Sequence, residues 1–151
     1  MPSFTRNINI ISRCAHAYRA DSLEGSGLGP SHYFYILIAC GSPGISQDQI
    51  AKRLYINKSS VTRAIAALEE NGFVERRPSE EDKRVIQIYP PQKATDLLPE
   101  VRRIARAWND FLLDELEEEE REQFLSTLEK ITGRAQSYVD LGMTAEDLQN
   151  R

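Results

Sequence analysis

Apolar residues fall at helical intervals along most of this chain, the exception being two short β-branched and aromatic runs between residues 73 and 89. At the start, Phe4, Ile8, Ile11, Ala15 and Tyr18 follow i, i+4, i+7 spacing, and Ser3 stands where a cap is needed. The pattern predicts a first helix from Phe4 to about Asp21. A glycine-rich break, 22–29, separates it from Pro30 at the position of a first helical residue. The nearly continuous apolar run from His32 to Cys40 then predicts a second helix, buried on most sides and ending at Gly41.

The most informative stretch runs from Ile45 to Pro90. Ser46 and Gln49 have capping-box spacing, and Ile50, Ala51 and Leu54 share one helical face. A short connection, Tyr55-Ile56-Asn57, leads to a second helix with the apolar stripe Val61, Ala64, Ile65 and Leu68, capped by Asn57 and ended by Asn71-Gly72. Residues 73–77 and 84–89 read as two strands joined by a turn-rich charged tip, 78–83. Pro90 and Pro91 stop the second strand. Two long amphipathic helices follow, about 92–116 and 118–140. The first carries Leu97, Leu98, Val101, Ile104, Ala105, Trp108, Phe111 and Leu112 on its apolar side. The second carries Phe124, Leu128, Ile131, Ala135 and Tyr138, and Thr144 is placed to cap a last short turn. The expected fold is mainly α with a small β-hairpin wing: a helix-turn-helix and hairpin at 45–90, flanked by helices at 1–40 and 91–140, in one domain of 151 residues.

Charge sharpens this picture. The net charge is −4, yet residues 45–90 hold eight basic side chains (Lys52, Arg53, Lys58, Arg63, Arg76, Arg77, Lys83, Arg84) against seven acidic ones. No acid occurs between Asp48 and Glu69, so the start of the second helix of this stretch presents Lys58, Ser59, Ser60, Thr62 and Arg63 without a negative neighbour in sequence. A basic, hydroxyl-rich helix start suits a polyanion, because free N–H groups and the helix dipole favour phosphate while side chains reach base edges. Lys83 and Arg84 at the hairpin tip suit the narrow, negative minor groove, with Asp82 placed to orient Arg84. The acidic surplus lies mostly in Asp114–Glu122 and reads as a solvated helix junction.

The runs Lys58-Ser59-Ser60-Val61-Thr62-Arg63 and Leu68 to Arg77, with Asp82-Lys83-Arg84 at the tip, together resemble the recognition helix and wing of the MarR family of bacterial winged helix-turn-helix transcriptional regulators. The resemblance covers roughly Phe4 to Tyr138. It implies a homodimer held by the N- and C-terminal helices and double-stranded DNA as partner. It also implies a repressor that binds a pseudo-palindromic operator and is relieved by a small aromatic effector. DNA contacts are expected from Lys58, Ser59, Ser60, Thr62, Arg63, Lys83 and Arg84. Tyr18, His32, Tyr33, Tyr35, Trp108 and Phe111 are the candidate effector-pocket residues, with a packed aromatic core as the plainer alternative. Where the family commonly has Leu-Thr and then Gly after the wing, this chain has Tyr89-Pro90-Pro91-Gln92-Lys93, a departure that bears on the angle between the module and the dimerisation helices.

Other chemistry finds little footing. No uninterrupted apolar run reaches membrane-spanning length, the N-terminus lacks a secretory layout, and two cysteines without metal-site spacing point to a reduced, cytoplasmic protein. His16 and His32 have no nucleophile or carboxylate at a telling spacing. Neither an enzyme, a cofactor nor a metal site is therefore expected. A redox-sensing branch of the resembling family carries a reactive cysteine in its first helix. Cys14 shares a helix face with Tyr18 but falls well past that position, and packing is the expectation for it. The reading that competes with DNA binding is a winged-helix interaction dimer that has lost it, which the acidic total favours and the Lys58-to-Arg63 face opposes.

Overall fold

The computed structural model describes residues 3–149. Its helices and strands follow in the order α1 Phe4–Ser22, α2 Tyr33–Gly41, β1 Ile45–Ser46, α3 Gln47–Leu54, α4 Lys58–Glu70, β2 Glu75–Pro78, β3 Ile86–Tyr89, α5 Gln92–Leu113, α6 Glu118–Asp140 and α7 Ala145–Gln149. The mainly helical winged architecture expected from the sequence is present. Two compact units divide the chain, one reaching to Asn109 and one beginning at Asp110.

Local chemistry accounts for most element ends in the first unit. Ser3 accepts from Arg6 N at 3.2 Å and starts α1. Ser46 and Gln49 form the reciprocal capping box, at 3.2 and 2.8 Å, that opens α3. Asn57 Oδ1 accepts from Ser60 N at 2.7 Å and opens α4. At the far end of α4, Gly72 takes φ +73°, the left-handed conformation that a glycine adopts without a Cβ clash.

The sheet holds one strand more than the sequence announced. β1 pairs antiparallel with β3 (Ile45 with Ile88, Ser46 with Gln87), and β3 pairs with β2 from Glu75–Tyr89 to Pro78–Ile86, giving the order β1-β3-β2. Two residues are too few to carry a period, so β1 left no trace in the apolar pattern. Gly44 makes the approach possible: its φ is +86°, and a Cβ there would lie 3.0 Å from the Tyr89 hydroxyl. The expected strand of residues 73–77 begins later because Phe73 and Val74, each 1% exposed, serve as core rather than ladder.

A second correction concerns Pro30. It is not the first residue of α2 but part of a turn closed by His32 N donating to Gly29 O at 2.9 Å. Arg19 Nε donates to the Pro30 carbonyl at 3.1 Å, which engages that group outside the helix, and α2 starts at Tyr33. After the wing, the carbonyl of Pro91 accepts from Ala94 N and Thr95 N at 3.0 and 3.2 Å, so backbone alone opens α5 where the resembling family has a threonine cap. Lys93 then ties α5 to α4: its ammonium donates to Asn71 O at 2.8 Å and lies 4.1 Å from the centre of the Phe73 ring.

The core of this unit gathers Ile36 from α2, Ile50 from α3, Val61, Ile65 and Leu68 from α4, Ile88 from β3, and Val101 and Ile104 from α5, all 1% exposed or less. Apolar burial at about 25 cal/mol per Å² makes this cluster the main support of the helix-turn-helix. α1 adds to it only the half-buried Tyr18, and it buries Ala15 while leaving Phe4, Ile8 and Ile11 exposed. Cys14 is exposed as well, so the packing expected for it is not supplied within this chain.

The second unit is α6 and α7 with the end of α5. Glu117 N donates to Glu120 at 3.1 Å at the start of α6, and Glu118, Glu119 and Glu120 sit in its first turn, where the helix dipole favours acids. The acidic run is thus a junction and a helix start. No described residue of α6 is buried, and Phe124, Leu125, Ile131 and Val139 are exposed.

Candidate nucleic-acid interface

α3 and α4 meet at the left-handed residue Tyr55 (φ 54°), and the turn sets the start of α4 beside the first turn of α3. The stripe Val61, Ile65, Leu68 faces the core, so Lys58, Ser59, Thr62 and Arg63 are left exposed on the other side and Ser60 half-exposed. The sequence placed these five on one accessible helix start, and the structure does the same.

Each is held by local bonds. Lys58 Nζ donates to Asp48 Oδ2 at 2.7 Å. Ser59 Oγ donates to Asn57 Oδ1 at 2.8 Å. Thr62 Oγ1 donates to Lys58 O at 3.0 Å and lies 3.3 Å from the side-chain carbonyl of Gln47. Arg63 donates to Ser60 Oγ at a long 3.4 Å. Sequence reasoning missed Gln47 and Asp48. The signal was available in the capping box: a helix opened by Ser46 puts Gln47 and Asp48 in its first turn, next to the start of the following helix.

The wing is anchored at its base and presents a cation at its tip. Glu69, near the end of α4, accepts from Arg76 N at 3.0 Å and from Arg76 Nε at 2.8 Å. The Arg76 guanidinium holds the Glu69 carboxyl below the usual glutamate range. At the tip, Asp82 accepts from Arg84 N at 3.0 Å and from Nε and a terminal nitrogen at 3.1 Å each. Asp82 therefore orients Arg84, as its position in the sequence indicated, and its own pKa is lowered by that guanidinium. The Arg84 side chain remains 91% exposed, because it is aimed rather than covered. Lys83 beside it is exposed. Arg77, one of the remaining basic residues, pairs with Glu75 and stacks 4.6 Å over the Tyr89 ring.

Those of the aromatic residues singled out in the sequence that lie in the first unit make pairwise contacts. Tyr18 stacks on Trp108 at 5.2 Å between ring centres, and His32 meets Tyr35 edge-on at 6.2 Å. Tyr33 lies under the Arg19 guanidinium at 4.8 Å. Tyr33 and Tyr35 are buried core residues whose phenols burial pushes up, and burial lowers the pKa of half-buried His32. Phe111 belongs to the second unit and is exposed. Among the described residues no group of three or more His, Cys, Asp or Glu is placed to hold a metal ion, and no helix is long and apolar enough to cross a membrane.

Comparison with known proteins places this geometry. The sequence model of the MarR family matches residues 30–86, which span α2 to the start of β3. An uncharacterized HTH-type transcriptional regulator, YybA, from Bacillus subtilis (strain 168) is 25% identical over 131 residues, covering 87% of each chain. The crystal structure of the transcriptional regulator SlyA superposes with a TM-score of 0.88 at 26% identity, over 92% of this chain and 98% of that one. A putative MarR family transcriptional regulator from Listeria monocytogenes, crystallised with a 26mer DNA, shares the fold with a TM-score of 0.85 at 24% identity, over 95% and 98% of the two chains.

Proposed function

Since residues 30–86 are a winged helix-turn-helix of the MarR family of transcriptional regulators, we propose that this protein is a homodimeric, sequence-specific repressor acting on a pseudo-palindromic operator. The observation that carries the reading is the pairing of two features on one module. The start of α4 exposes Lys58, Ser59, Thr62 and Arg63, and the wing tip holds Arg84 in place through Asp82 while leaving it open to solvent. A helix that seats in the major groove with its N-terminal residues on base edges, beside a guanidinium in the adjoining minor groove, accounts for both. The DNA complex of the Listeria neighbour, whose fold is the same, supports this use of the fold. The relatives are named as regulators, and the protein is a regulator rather than an enzyme.

In this reading Arg63, Thr62, Ser60 and Ser59 face the major groove, Lys58 meets phosphate, and Arg84 with Lys83 reaches the minor groove. The exposed apolar faces of α1 (Phe4, Ile8, Ile11) and of the second unit (Leu125, Val139, Leu141) support pairing of two copies, since such faces are costly to leave in water. Relief by a small aromatic molecule is part of the proposal, and the Tyr18–Trp108 stack is its nearest structural support.

Selection of duplexes from a random pool by the full-length protein tests the whole reading. It predicts enriched sites with two inverted half-sites about one helical turn apart. Recovery of unenriched sequence would favour the competing reading of a winged-helix interaction dimer.

A further inference from the structure

The first turn of α3 lies beside the start of α4 and bonds it twice with side chains. Asp48 holds the Lys58 ammonium at 2.7 Å, and the Gln47 amide meets the Thr62 hydroxyl at 3.3 Å. Asp48 and Lys58 are themselves 59% and 72% exposed, so the pair is open to whatever approaches the helix start. An acid in that place is out of keeping with a surface built to meet phosphate. Nor does the pair hold the fold together, because exposed ion pairs contribute little to stability.

We propose that Asp48 is a specificity-determining residue of the DNA interface: it withholds Lys58 from phosphate until an operator base engages its carboxylate, and so weakens binding to arbitrary DNA more than binding to the operator. This rests on the DNA-binding reading above. The asymmetry follows from what each complex contains. Binding to arbitrary sequence is almost wholly phosphate neutralisation, so a carboxylate in the contact zone repels the backbone and occupies a cation that would otherwise release counterions. In the operator complex the helix is seated in the groove, where a carboxylate accepts from the exocyclic amino group of cytosine. The cost at the wrong sequence is then recovered in part at the right one, and specificity is that difference. Gln47 serves the same end by fixing Thr62, which keeps this helix face in one arrangement.

The test is fluorescence anisotropy on the full-length protein with a random duplex and with a duplex selected by the wild type, across a salt series. Asp48→Asn keeps the shape and a hydrogen-bond acceptor while removing the charge. It is expected to tighten the random duplex by about three- to ten-fold at moderate salt and to steepen its salt dependence by up to about 0.9 in log–log slope, one extra phosphate contact. The selected duplex should tighten less, so the ratio of the two affinities falls. Asp48→Glu should restore the wild-type ratio, and Asp48→Asn added to Lys58→Met should give a smaller gain than it gives alone. An unchanged affinity for random DNA, or equal tightening on both duplexes, overturns the proposal while leaving the DNA-binding reading intact. Failure of the wild type to bind either duplex at low salt overturns that reading itself.

Discussion

Replacing Glu69 by Gln tests how the wing is anchored, and the structure sets both the size and the pH dependence of the effect. Glu69 accepts from the Arg76 backbone at 3.0 Å and from its guanidinium at 2.8 Å, joining the end of α4 to the first residues of β2. Gln retains one acceptor for Arg76 N and loses the charge. Charge-assisted hydrogen bonds contribute about 1.5–3 kcal/mol when well shielded. Here the Arg76 and Glu69 side chains are 38% and 35% exposed, so solvent screening brings the expectation down to about 1 kcal/mol. Because Arg76 lowers the Glu69 pKa in the folded state, the contribution is fully present above the unfolded glutamate value, about 4.3, and is lost as pH falls through the lower folded value. Urea unfolding of the two proteins at one fixed protein concentration, from neutral pH downward, reads this directly. The stability difference should be near 1 kcal/mol at neutral pH and shrink towards zero in acid. A difference of the same size at both ends of the pH range would refute the ion pair as its source, and no difference at neutral pH would refute the anchor.

Other substitutions separate the roles assigned to particular residues. Arg63→Ala should cost about 1–3 kcal/mol in operator binding and relax preference at one base position, read by competition between duplexes altered at single positions. Asp82→Ala leaves Arg84 charged but unaimed, and should weaken operator binding several-fold with little change in salt slope, measured by anisotropy at several salt concentrations. Ile65→Ala opens a cavity at a fully buried site and should destabilise the fold by about 2–5 kcal/mol in urea unfolding. Trp108 is the single tryptophan and stacks on Tyr18, so an aromatic effector bound there should alter intrinsic fluorescence in a saturable manner, an effect that Tyr18→Ala should abolish.

The helix-turn-helix was legible in the sequence because its determinants are local. The capping pair Ser46 and Gln49, the Asn57 cap, the Val61, Ile65 and Leu68 stripe and the Gly72 stop each declare themselves within a few residues, and each takes the form expected. The orientation of Arg84 was legible for the same reason, since Asp82 is two residues away. What the sequence does not declare depends on distant partners. β1 exists through β3, some forty residues on in the chain. Pro30 sits in a turn whose carbonyl Arg19 engages from another helix, and Asp48 faces Lys58 because the Tyr55 turn brings two helix starts together. The ordinary behaviour of cysteine predicts packing for Cys14, but on α1 only Ala15 is buried within the chain. A periodic apolar stripe says that a face seeks cover without saying whether the same chain supplies it.

Sequence-specific DNA binding by the module of α3, α4 and the wing is decided by one comparison. Anisotropy of a labelled duplex enriched by the wild type is measured against a scrambled duplex of the same composition, with wild type and Arg84→Ala, from low to moderate salt. The wild type should bind the enriched duplex tightly, with an affinity that falls steeply as salt rises. The variant should bind it more weakly, with a log–log salt slope smaller by about 1. Equal and weak binding of both proteins to both duplexes at every salt concentration would contradict sequence-specific binding.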